Sequence, residues 1–96
     1  MPKGYWIAQN DVNDPETYKK YQAASAVAFE KYGAKFLVRG GKLKALQGNI
    51  RARQVLIEFE SFDQALACYN SPEYQEAAQW RKGAAEGDIV IVEGAA

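Results

Sequence analysis

The sequence predicts a single α+β domain in which a four-stranded antiparallel sheet carries helices on one face. Three observations predict it. Segments with period-two alternation, rich in β-branched and aromatic residues, are interleaved with longer segments whose apolar residues recur at helical spacing. Their order along the chain is β-α-β-β-α-β. The length of 96 residues suits one domain, which at this size buries roughly 60–70% of its unfolded surface, and no linker or low-complexity stretch divides residues 1–96.

The first strand is Gly4 to Val12. Alternation puts Trp6, Ala8, Asn10 and Val12 on one face and Tyr5, Ile7, Gln9 and Asp11 on the other. Asp14 and Pro15 then supply an N-cap and a first helical residue. The helix runs from Pro15 to about Tyr32, with Tyr18, Tyr21, Ser25, Phe29 and Tyr32 along one stripe. Gly33 suits a left-handed cap at its end. A second strand, Lys35 to Arg39, meets Gly40-Gly41, and the alternating Lys42 to Leu46 reads as an extension past a bulge. Gln47-Gly48-Asn49 is a turn by composition, and Arg53 to Phe59 is the third strand, so Phe36 to Phe59 forms a hairpin.

Ser61 with Gln64 three residues later matches a capping box ahead of a helix ending near Asn70. Ser71-Pro72-Glu73 restarts a helix whose inner stripe is Tyr74, Ala77, Ala78 and Arg81. Gly83 and Gly87 bracket its exit. Asp88 to Glu93 is the last strand, and its Ile-Val-Ile-Val centre suggests an interior position. This order is the ferredoxin-like split βαβ arrangement, whose right-handed crossovers put both helical segments on one face. The other face mixes Leu37 and Leu56 with Lys35, Arg39, Gln54 and Glu58. An uncovered mixed face of this kind predicts association with a second copy about a two-fold axis.

Composition removes much of the catalytic repertoire. Twelve Lys+Arg balance twelve Asp+Glu, which argues against a charge-driven nucleic-acid binder. There is no His, so histidine acid–base catalysis, His-ligated metal and haem with a proximal His are excluded. No metal or cofactor is expected. The one cysteine, Cys68, forms no intrachain disulfide, in keeping with a reducing compartment. The apolar start is too short for a signal-peptide core, and no run approaches the ~20 residues of a membrane-spanning helix. The expectation is a cytoplasmic protein with no membrane partner.

Several runs together resemble the bacterial DUF1330 family, within the dimeric α/β-barrel superfamily. They are Gly4-Tyr5-Trp6, Tyr18 with Tyr21, Tyr32 to Gly41, Glu58-Phe59, Ser61-Phe62, Cys68-Tyr69, Ser71 to Gln75, Arg81, and Val92-Glu93-Gly94. Gln47-Gly48 departs from a Glu-Gly pattern. The resemblance implies a ferredoxin-like fold and a homodimer, and no particular activity. The wider superfamily includes cofactor-free monooxygenases, lactone isomerases and haem enzymes, so fold alone assigns no reaction.

Candidate site residues follow from residue chemistry. Arg39 offers a planar donor fork for a carboxylate or enolate, with Gly40-Gly41 allowing close approach of a ligand. The competing reading pairs Arg39 with Glu58 across the hairpin and gives the glycines a bulge. Tyr18, Tyr21, Tyr32, Tyr69 and Tyr74 come from helices covering the same sheet face, either lining an amphipathic pocket or filling the core. Glu58 is the strand-borne candidate for a general base, against an ordinary cross-strand pairing role. Asn10, Asp11 and Asn13 at the end of the first strand either contribute to a site or form the turn. The expected catalytic set is therefore Arg39, Glu58 and Tyr69, and the expected ligand-binding set is Tyr18, Tyr21, Gly40 and Tyr74. Two functions fit: cofactor-free isomerase or monooxygenase chemistry on a small aromatic or anionic metabolite, and non-catalytic metabolite binding or interaction.

Overall fold

The computed structural model describes residues 2–95. The elements are β1 (Gly4–Val12), α1 (Pro15–Lys31), β2 (Lys35–Arg39), β3 (Arg53–Phe59), α2 (Phe62–Asn70), α3 (Pro72–Arg81) and β4 (Ala85–Glu93). The strands form one antiparallel sheet in the order β2-β3-β1-β4. All three helices cover one face, giving the two-layer ferredoxin-like arrangement with the second helical segment broken in two. No helix among the described residues is long and apolar enough to cross a membrane.

Local chemistry sets the boundaries. Asp14 caps α1 by accepting from the Thr17 amide at 3.3 Å and the Thr17 hydroxyl at 2.7 Å. Those bonds hold its carboxyl below the usual carboxylate range. The helix ends as expected, with Gly33 at φ +71° and the Ala34 amide returning to the Phe29 carbonyl at 2.9 Å. Ser61 caps α2 through the Gln64 amide at 3.0 Å. The reciprocal half of the box is absent, because the Gln64 side chain donates instead to the Tyr32 carbonyl at 3.2 Å. Ser71 serves both neighbouring helices. Its hydroxyl donates to the Cys68 carbonyl at 2.7 Å and accepts from the Tyr74 amide at 3.1 Å, so the chain turns from α2 into α3 without an unpaired helix end.

The alternation of β1 is as the sequence predicts: Trp6, Ala8 and Asn10 are buried and Ile7 is exposed. Trp6 is the centre of the core. Its ring lies 4.9 Å from Tyr74, 5.2 Å from Phe29, 5.6 Å from Tyr69 and 6.2 Å from Phe59, mostly in tilted or edge-on geometries. Cys68 is fully buried beside them, and burial pushes its thiol up to about 12. At neutral pH it is a small apolar filler.

Two expectations need correction. Lys42 to Leu46 does not extend the strand: residues 40–52 form an irregular connection in which Leu46 is 85% exposed. Asp11 pins its far end, accepting from Arg51 at 2.9 Å and from the Ala52 amide at 3.0 Å. The last strand is also not interior. It starts earlier, at Ala85, pairs only with β1 and lies at the sheet edge. Its β-branched run is apolar on both faces because Ile89 and Ile91 pack toward the helices, while Val90 and Val92 stand on the bare face.

That bare face carries an apolar row across the whole sheet. Val38 pairs with Leu56, Leu56 with Ile7, and Ile7 with Val90. Beside it Lys35 stands opposite Glu58, and Glu58 accepts from the Tyr5 hydroxyl at 3.2 Å.

Candidate functional site

A β-bulge builds the site. Phe36 pairs with Ile57 and faces the core, so strict alternation would turn Arg39 outward. The register shifts between Phe36 and Val38. Val38 then pairs with outward Leu56, and Arg39 with inward Val55. The extra residue re-aims Arg39 to the helix-covered side. Arg53 reaches the same side by ordinary alternation, two residues before Val55 and four before Ile57. Two guanidinium groups thus stand on the inner side of adjacent strands.

They line a cavity of about 40 Å³ between the sheet and α1. A single water needs roughly 10–15 Å³, so the cavity, which is partly open to solvent, has room for a few water-sized groups. Trp6, Ala8, Asn10, Phe36, Val55 and Ile57 join the arginines on the sheet wall, and Tyr18, Tyr21, Gln22, Ser25 and Phe29 form the helix wall. The Arg39 guanidinium lies 4.1 Å from the centre of the Phe36 ring, and that of Arg53 lies 5.8 Å from the Tyr18 ring. Arg53 Nε is buried with no hydrogen-bond partner. Neither arginine is in an ion pair among the described residues, whereas Arg51 pairs with Asp11 and Asp88.

Tyr21 and Tyr74 share a hydrogen bond at 2.9 Å. Burial, followed by the neighbouring Tyr74, raises Tyr21 well above its ordinary value, and burial also raises Tyr74. Both stay protonated at neutral pH. On the sheet side, Arg81 donates to Asn10 Oδ1, and Asn10 Nδ2 faces the Tyr18 hydroxyl at 3.5 Å.

The predicted residues are divided among three places. Tyr18, Tyr21 and Arg39 line the cavity together. Gly40, at φ +68°, is outside that lining; a Cβ there would lie 2.9 Å from the Arg53 guanidinium carbon, so the close neighbour of this glycine is Arg53. Tyr69 and Tyr74 line a second, larger cleft of about 550 Å³ between α3 and β4. Tyr74 still touches the first site through Tyr21. Glu58 is on the bare face of the sheet, opposite Lys35 and bonded to Tyr5. The expected grouping of Arg39, Glu58 and Tyr69 is therefore not formed: the bulge turns Arg39 to the inner side while Glu58 stays on the bare face, and Tyr69 lines the other cleft. The alternative Arg39–Glu58 pairing also fails, since the bulge sets Arg39 opposite Val55. Sequence reasoning missed Arg53. Its signal was an arginine in phase with Val55, Ile57 and Phe59, where a core residue is expected.

The model of a domain of unknown function, DUF1330, matches residues 3–95. The chain belongs to this family. Solved structures share the family member's architecture. A protein of unknown function from Rhodopseudomonas palustris superposes with a TM-score of 0.75 at 18% identity, over 99% of this chain and 84% of that one. A cofactor-independent oxygenase from Streptomyces nogalater gives 0.62 at 10% identity, over 100% and 96%. A dimeric protein of unknown function and ferredoxin-like fold from Bacteroides fragilis gives 0.62 at 15% identity, over 95% of each chain. Likeness at these identities extends to the fold alone. No curated protein matches the chain.

Proposed function

We propose that this DUF1330 protein is a cytoplasmic homodimer that binds a small planar anion, an aromatic carboxylate or the enolate or phenolate form of a metabolite, in the cavity between α1 and the sheet. The observation that carries this is the pair of guanidiniums on the helix-covered side, exposed Arg39 and half-buried Arg53, with no carboxylate partner among the described residues and with Arg53 Nε buried and unpaired. An unpaired buried donor is costly, and an acceptor entering from solvent relieves that cost. The guanidinium forks would hold the anion, the Phe36 and Tyr18 rings would flank it, and Tyr21, its hydroxyl then accepting from Tyr74, would donate to it. A ligand larger than the anionic group itself would require the lining side chains to move.

The lining offers no carboxylate or thiol to act as a base. A reaction there would act on a substrate already held as its anion, which suits cofactor-free oxygenation or isomerisation. The fold shared with a cofactor-independent oxygenase supports that direction. The second reading is a non-catalytic binder, and incubation of bound ligand under air separates the two, since only an enzyme consumes it. The test of the site is a calorimetric titration of the protein with benzoate and salicylate. Saturable binding that Arg39→Ala weakens at least tenfold is expected, because a hydrogen bond to a charged group is worth ~1.5–3 kcal/mol. Equal affinity in wild type and variant would contradict it.

The dimer covers the bare face. The row from Val38 through Leu56 and Ile7 to Val90 is a self-complementary apolar strip flanked by charges, and the dimeric fold neighbour supports a second copy as its occupant. Native mass spectrometry should give a dimer for the wild type and a monomer for Ile7→Glu. A wild-type monomer would contradict this.

A further inference from the structure

Arg81 lies outside the cavity, on the last turn of α3, yet it reaches the cavity wall. Its guanidinium donates to Asn10 Oδ1. Asn10 is 2% exposed and lines the cavity. Arginine has no acceptor, so the amide oxygen must face Arg81 and the amide nitrogen must face the other way. That nitrogen faces the Tyr18 hydroxyl at 3.5 Å, inside the cavity. A side chain at position 87 would block this arrangement. A Cβ on Gly87 would meet the Gln9 carbonyl and the Asn10 amide oxygen, and would lie 3.0 Å from the Arg81 guanidinium. Gly87 therefore leaves the lane through which Arg81 approaches.

We infer that Arg81 is a specificity-determining positioning residue: by holding Asn10 Oδ1 outward it fixes the amide with its N–H₂ toward the cavity, so that the sheet wall presents donors only and selects acceptor-only, anionic ligands over neutral carboxamides. This deepens, and rests on, the reading of the cavity as an anion site. With Arg39, Arg53 and the Asn10 amide nitrogen, the sheet wall offers no acceptor to a ligand N–H. Without Arg81 the amide is free to rotate and to present its oxygen, which repels a carboxylate and accepts from a carboxamide. The Tyr18 hydroxyl follows the same device. While it accepts from Asn10 its own proton is free to donate into the cavity.

The test is a double-mutant cycle read as the ratio of benzoate to benzamide affinity, with Arg81→Met, Asn10→Ala and the double variant. Arg81→Met should lower the ratio about tenfold, the weight of one hydrogen bond to a charged group. In the Asn10→Ala background the same change should alter the ratio less than twofold, because Arg81 acts through Asn10. A general field effect of the arginine charge would persist in that background and would overturn the inference. A second readout needs no ligand: the side-chain amide protons of Asn10 should exchange slowly with water in the wild type and rapidly in Arg81→Met. Unchanged exchange would overturn the inference alone. Absence of benzoate binding to the wild type would overturn the cavity reading and this inference with it.

Discussion

Replacing Trp6 with alanine is expected to lower the unfolding free energy by about 3–5 kcal/mol, the range for deleting a large buried aromatic side chain. A domain of this size has on the order of 5–15 kcal/mol in total, so the loss is a large share of what holds the fold. The reason is position. Trp6 is 1% exposed and meets one residue from each helix and one from β3: Phe29, Tyr69, Tyr74 and Phe59. No neighbour can collapse into the vacated volume without leaving its own contacts. Trp6→Phe keeps an aromatic face and should cost much less. Urea titration followed by far-ultraviolet circular dichroism measures both, and a loss below about 1 kcal/mol in the alanine variant would be incompatible with this packing.

Arg53→Met should separate stability from binding. The guanidinium is half-buried, with Nε shielded and unpaired, so replacing it with an apolar chain of similar length removes a desolvation cost without leaving a partner stranded. Unfolding free energy should stay level or rise by about 1 kcal/mol. Benzoate affinity should fall about 10- to 150-fold, the equivalent of one or two charged hydrogen bonds at ~1.5–3 kcal/mol in all. Such opposite signs are the mark of a residue kept for function at the expense of stability. A destabilised variant with unchanged affinity would assign Arg53 a structural role instead.

The elements were legible because their signals are local. Asp14-Pro15, Gly33, Ser61 and Ser71-Pro72 mark helix ends through short-range chemistry, and Trp6 and Ile7 declare the two faces of β1 by alternation alone. The edge position of β4 was not legible, since a strand covered by helices on one side and bare but apolar on the other reads like a buried one. The site was harder still. Arg39 turns inward only because of the bulge between Phe36 and Val38, a tertiary accommodation with no residue signature beyond ordinary strand formers. Without the bulge Arg39 and Glu58 would share the bare face, and the one-residue register step sends Arg39 to the opposite face. Arg81 reads as a helix-end residue, and its reach to Asn10, 71 positions away in sequence, depends on β4 running beside β1 with a glycine at position 87.

The central claim is that Arg39 and Arg53 together form an anion-binding site inside the helix-covered face. The structure of the protein soaked with salicylate tests it most directly. The carboxylate is expected between the two guanidiniums, with the ring against Phe36 and Tyr18. A carboxylate bound instead in the cleft between α3 and β4, or on the bare face of the sheet, with the inner cavity unoccupied, would contradict it.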